Sequence, residues 1–114
     1  NVGLELEAKG TGKIILNNSH VLKQETVNTG SNEALSLLLP FTEITKGTAG
    51  TYSIADGVAG QVKYVVNSGA GNAVITPANF GAGTTLTLQQ HETGTLIFDG
   101  TNWQILATYG GAVA

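Results

Sequence analysis

No stretch of eleven or more residues in this chain places apolar side chains at helical spacing. They come instead in strand-sized runs, cut apart by sixteen glycines and two prolines. That pattern predicts an all-β protein with little or no helix. At 114 residues the chain suits a single compact unit with one core.

The runs can be placed one by one. Gly3-Leu4-Glu5-Leu6-Glu7-Ala8 alternates apolar and charged residues, so Leu4 and Leu6 share a face. Lys13 to Leu16 follows Gly10-Thr11-Gly12, and Asn17-Asn18-Ser19 turns the chain into a returning strand, His20 to Glu25, with Val21 inward. These first segments hold too few large apolar residues for a core of their own, which predicts packing on a partner chain or on the second part of this one. Residues 27–32 are a polar connector, and Glu33 to Leu39 is the most apolar strand, limited by Pro40. Phe41 to Thr45 continues it past a bend.

From residue 51 the runs become regular: Thr51 to Ala55, Gly60 to Asn67, Ala73 to Thr76, Thr84 to Gln89, Gly94 to Phe98 and Trp103 to Thr108, with Asp99-Gly100-Thr101-Asn102 as a hairpin loop. Alternation groups Val62, Tyr64 and Val66 on one face and Lys63 and Val65 on the other. About ten strands predict a β-sandwich or open barrel of short antiparallel strands. We divide it into a thin, shaft-like β-segment over residues 1–30 and a sandwich domain over 31–114, built around Tyr64, Leu86, Phe98 and Trp103.

Composition narrows function by exclusion. The net charge is −3, arginine is absent and the five lysines (Lys9, Lys13, Lys23, Lys46, Lys63) are scattered, which argues against a phosphate-tracking surface and predicts no nucleic-acid partner. Without cysteine there are no disulfides, thiolate metal sites or thiol nucleophiles. The longest apolar run, Ala34 to Leu39, is far short of the ~20 residues needed to span a bilayer, so no membrane insertion is expected. No basic start and apolar stretch mark a signal peptide. Numbering opens at Asn1, which suggests a processed chain or a piece of a longer one.

The polar residues do not converge on chemistry. His91-Glu92 are adjacent, so on a strand they point to opposite faces and cannot both hold a metal. His20 and His91 read as solvated loop residues. Asp56 and Asp99 precede glycine and read as turn-formers rather than calcium ligands. Glu5 and Glu7 share a solvent face. Gly69-Ala70-Gly71 and Gly81-Ala82-Gly83 lead into no helix and so are loops, not phosphate cradles. Trp103 reads as a packing anchor. Tyr52, Tyr64 and Tyr109 could offer rim hydroxyls but do not cluster. We therefore expect a protein that is not an enzyme, with no catalytic, cofactor-binding or metal-binding residues and no cofactor; the residues name no ligand-binding position.

The stretch from Thr51 to Leu106 adds a resemblance. Thr51-Tyr52-Ser53-Ile54-Ala55-Asp56-Gly57, Gly60-Gln61-Val62-Lys63, Asn72-Ala73-Val74-Ile75-Thr76-Pro77 and Gly94-Thr95-Leu96-Ile97-Phe98-Asp99-Gly100-Thr101-Asn102-Trp103 resemble a small β-domain recurring in tail-fibre, head-fibre and related virion proteins of tailed phages. The opening Gly10-Thr11-Gly12-Lys13-Ile14-Ile15-Leu16-Asn17 resembles the short β-repeats of fibre shafts. Segment 27–50 has no counterpart in that family. The resemblance implies a homotrimeric virion structural protein (fibre, spike or capsid-surface component), assembled in the host cytoplasm and acting extracellularly. It would contact other virion proteins, with a host-surface glycan as a candidate ligand. The alternative is a carbohydrate-binding β-sandwich module stacking sugars on Trp103 or the tyrosines. A glycan-degrading fragment would need two carboxylates ~5–10 Å apart, which the scattered acids do not suggest.

Overall fold

In the first half of the chain, short strands alternate between two layers, and that alternation sets the architecture. The computed structural model describes residues 3–114. Ten strands form two five-stranded sheets packed as an open sandwich, with no helix among the described residues. One sheet orders β1 (Gln24–Val27), β3 (Phe41–Ile44), β5 (Val62–Asn67), β8 (Glu92–Phe98) and β9 (Trp103–Tyr109). The other orders β10 (Ala112–Val113), β7 (Leu86–Leu88), β6 (Ala73–Pro77), β4 (Gly50–Ile54) and β2 (Glu33–Ala34). The sandwich therefore incorporates Gln24–Val27, and segment 27–50 supplies β2 and β3.

The strands are only partly antiparallel. Pairings β1–β3, β3–β5, β2–β4 and β4–β6 are parallel, whereas β5–β8, β8–β9, β6–β7 and β7–β10 are antiparallel. After each of the first five strands the chain crosses to the opposite sheet, so the successive strands of one sheet up to β6 run the same way. The crossover that parallel strands require is made by the facing strand rather than by a helix. Each pair β1–β2, β3–β4 and β5–β6 thus forms a rung, and three rungs stack before the antiparallel strands complete the sheets. The strand-to-strand links within the rungs span residues 28–32, 45–49 and 68–72.

Burial follows the two-residue period of strands: Tyr52 and Ile54, Ala73 and Ile75, Leu86 and Leu88, and Leu96 and Phe98 all point into the layer between the sheets. Strand β5 departs from its predicted facing. Lys63, Val65 and Asn67 point inward, while Tyr64 stands 39% exposed on the outer face. Two polar side chains can point inward because both find partners there. The Asn67 side-chain amide donates to the carbonyls of Gly71 (2.9 Å) and Leu88 (2.8 Å), and its oxygen accepts from the Gly69 N–H (3.0 Å).

Two further expectations are corrected. Only Glu33–Ala34 of the apolar run 33–39 is a strand, and Leu38 is fully in solvent. The carbonyls of Ser36 and Leu39 turn to Lys63 and that of Leu37 accepts from Gln61 (2.9 Å), so a side-chain-bonded loop replaces ladder pairing. Among the described residues no strand precedes Gln24, and Val21, expected inward, is 93% exposed. Those residues pair with neither sheet in the structure. A bulge interrupts β9. Leu96 pairs with Ile105 and Thr95 with Ala107, which leaves Leu106 as the extra residue and turns Ala107 and Tyr109 outward.

Asn67→Ala would strand two buried carbonyls and one N–H. It should lower the unfolding free energy by about 2–3 kcal/mol, read from urea unfolding followed by Trp103 fluorescence.

Candidate interaction surfaces

The residues singled out from the sequence lie apart from one another. His20 sits in the exposed N-terminal segment. His91 occupies a tight turn at φ 68°, its N–H bonded to the Asn67 carbonyl (2.5 Å), and the Glu92 carboxylate accepts from the Gln89 N–H in the same turn (2.7 Å). Asp56 receives both bonds of the Asn79 amide (3.0 and 2.8 Å). Asp99 caps its hairpin: backbone bonding with Asn102, then the Gln104 side chain and the Thr101 N–H hold its carboxyl below the usual carboxylate range. Glu5 and Glu7 are in solvent. No group of three or more His, Cys, Asp or Glu among the described residues could hold a metal ion.

Trp103 is the centre of the core. Its ring is fully buried, packs edge-on to Phe98 at 5.3 Å and 64°, and donates from Nε1 to the Ala55 carbonyl (2.9 Å). It cannot stack a sugar. Tyr52 is also buried, its hydroxyl has no hydrogen-bond partner, and burial pushes its proton affinity up. That leaves Tyr64 and Tyr109 as the accessible tyrosines.

The sequence reading missed the buried Lys63. Its ammonium donates to the carbonyls of Ser36 (2.6 Å) and Leu39 (2.8 Å) and lies 3.9 Å from Glu25. Glu25 also accepts from Thr42 Oγ1 (2.7 Å) and the Ser36 N–H (3.0 Å). Burial lowers the lysine's proton affinity and Glu25 partly restores it. The ammonium is held by two carbonyls beside the Glu25 carboxylate, so the cluster clamps loop 35–40 rather than offering a reactive amine. No local pattern could have revealed it, because Glu25, loop 35–40 and Lys63 meet only through the stacking of rungs.

The outer faces of the two sheets differ sharply. The second sheet shows Ala34, Ser53 and Thr76 in one row and Thr51, Val74, Thr87 and Ala112 in the next, small and mostly hydroxylated. On the first sheet the rows run Gln24–Phe41–Tyr64–Thr95–Ala107 and Thr26–Glu43–Val66–Thr93–Tyr109, with Val62, Ile97 and Gln104 beyond. Leu22, Phe41, Tyr64, Val66, Thr93 and Thr95 border a shallow, mostly apolar cavity of about 330 Å³. Separately, the N-terminal segment leaves Leu4 (86% exposed), Leu6, Ile14, Ile15 and Leu16 in solvent. Single exposed apolar residues are ordinary; a run of them, like an apolar sheet face, is a candidate interaction surface.

No protein-family model matches this chain, and no curated protein matches it.

Lys63→Met keeps the volume but leaves two carbonyls without their donor and Glu25 without its counter-charge, so it should cost about 2–4 kcal/mol in urea unfolding. The lysine's folded proton affinity is depressed below the ordinary 10.5. Between those two values the unfolded chain holds more protons than the native one, and stability from this group rises with pH. The stability difference between wild type and variant should therefore widen as pH climbs towards 10.5; narrowing would show that burial is not the dominant influence.

Proposed function

We propose that this chain is a non-catalytic structural subunit of a symmetric virion assembly, a homotrimeric phage fibre, spike or capsid-surface component. The single observation that carries the reading is the N-terminal segment, whose large apolar residues find no cover within the chain. The apolar outer face of the first sheet supports it, since packing between copies would bury both surfaces. The resemblance of residues 51–106 to phage fibre domains supplies the setting: assembly in the host cytoplasm, contact with other virion proteins and action outside the cell, with host attachment through exposed loops.

A glycan-binding module is the second reading, favoured by one observation: Tyr64 and Tyr109 are both accessible on the outer face of the first sheet. On the assembly reading the same tyrosines lie between subunits.

Sedimentation velocity at micromolar protein tests the assembly. The expected species has about three times the 11.7 kDa chain mass; a monomer at that concentration would reject the proposal. Tyr64→Asp, placing a charge on the apolar face, should shift a trimer towards smaller species without lowering its sugar affinity, whereas a glycan module would remain monomeric and lose binding.

A further inference from the structure

The links within the three rungs, 28–32, 45–49 and 68–72, are of equal length, and the return links from the second sheet to the first span 35–40 and 55–61. The N-terminal segment repeats this layout. Leu4 to Glu7 is a strand-sized alternating run, 8–12 is a link as long as the other three, Lys13 to Leu16 is a second apolar run, and 17–23 returns to β1 with the length of 55–61. The chemistry of the link repeats as well. Lys9-Gly10-Thr11 stands where Lys46-Gly47-Thr48 stands in the second rung, and Gly10 adopts φ 64°, the value of Gly30 at the middle of the first rung's link. A left-handed backbone at that position favours glycine.

The stack also has an open seat for such a unit. Strands β1 and β2 are the last in their sheets and lie at the same end of the stack, so both present unpaired backbone edges. Neither carries a proline or a bulge to block pairing, whereas the far edge strand β9 is bulged at Leu106. The spacing from Lys13 to Glu33 falls between those of the paired residues Gln24–Phe41 and Phe41–Tyr64, and would set a lysine beside a carboxylate.

The chain's own segment forms no strand on that seat: residues 4–16 belong to neither sheet, and Leu22, just before β1, borders the outer-face cavity with Phe41 of β3 and Tyr64 of β5.

We propose that residues 4–16 are a fourth rung of the stack, seated on the free edges of β1 and β2 of a second copy of the chain. The inference rests on the assembly reading and names its contact. Each copy gives its rung to the next, a head-to-tail exchange that closes as a ring of three.

The absence of cysteine makes the test direct. Ala34→Cys protein is mixed with size-tagged Lys13→Cys, Ile14→Cys, Ile15→Cys or Leu16→Cys protein, mildly oxidised and run on a non-reducing gel. All five positions are in solvent, so folding should be intact, and Trp103 fluorescence checks it. Mixed cross-links several-fold stronger at alternate positions are expected, as strand pairing demands. No mixed cross-link, or equal cross-linking at all four positions, overturns the proposal. Sedimentation of the same mixtures separates the two failures: trimers without patterned cross-links remove the fourth rung and leave the assembly standing, while monomers remove both.

Discussion

In the third rung, backbone lies directly on backbone. A Cβ on Gly71 would collide with the Thr48 carbonyl, and one on Gly69 with that of Lys46. With those side chains absent, the Gly71 N–H reaches the Lys46 carbonyl (3.2 Å), the Gly69 N–H reaches that of Ile44 (3.1 Å) and the Gly50 N–H reaches that of Asn72 (2.9 Å). The links thus stack like the strands they join. Because every link has the same length, strands stay in step in both sheets at once, and register, facing and burial all depend on that close approach.

Stacking also explains why polar side chains sit inside. A strand that arrives in register with its neighbour takes whichever face that register assigns, and β5 is assigned Lys63 and Asn67 inward. Each then serves the loops that edge the stack. Asn67 ties link 68–72 to β7, and Lys63 ties loop 35–40 to the sheet with Glu25 across from it. Burying an ammonium is costly unless its donors are used, and here carbonyls that ladder pairing has not satisfied use them. The apolar layer around Trp103, Tyr52 and Ile75 closes over both.

The same geometry leaves two surfaces unfinished. One end of the stack stops on bare strand edges, and the first sheet turns Phe41, Tyr64 and Val66 outward, where Leu22 borders the same cavity. The second sheet, faced with Thr and Ser, needs no cover. Stacked folds need terminal units that differ from the interior to stay soluble, and this chain's terminal rung has no such cap within one copy.

Much of this was legible in the residues. Sixteen glycines between strand-sized runs made the chain all-β, Asp99-Gly100 marked its hairpin, and Trp103 read as a core anchor because a lone tryptophan in an alternating strand is most stable with its ring nitrogen bonded. Local patterns act over a few residues, and those features are local. Tertiary structure alone decided that half the pairings are parallel, that Tyr64 faces out while Lys63 faces in, and that run 33–39 gives up its ladder to a loop. Each depends on which strand lies beside which, and alternation cannot report that: a one-residue choice of facing exchanges the two sides of a strand, and in β5 the more apolar side, Val62, Tyr64 and Val66, is the one that faces out. The glycines were visible from the start. What only the stack could show is that Gly69 and Gly71 are there to let one link rest on another.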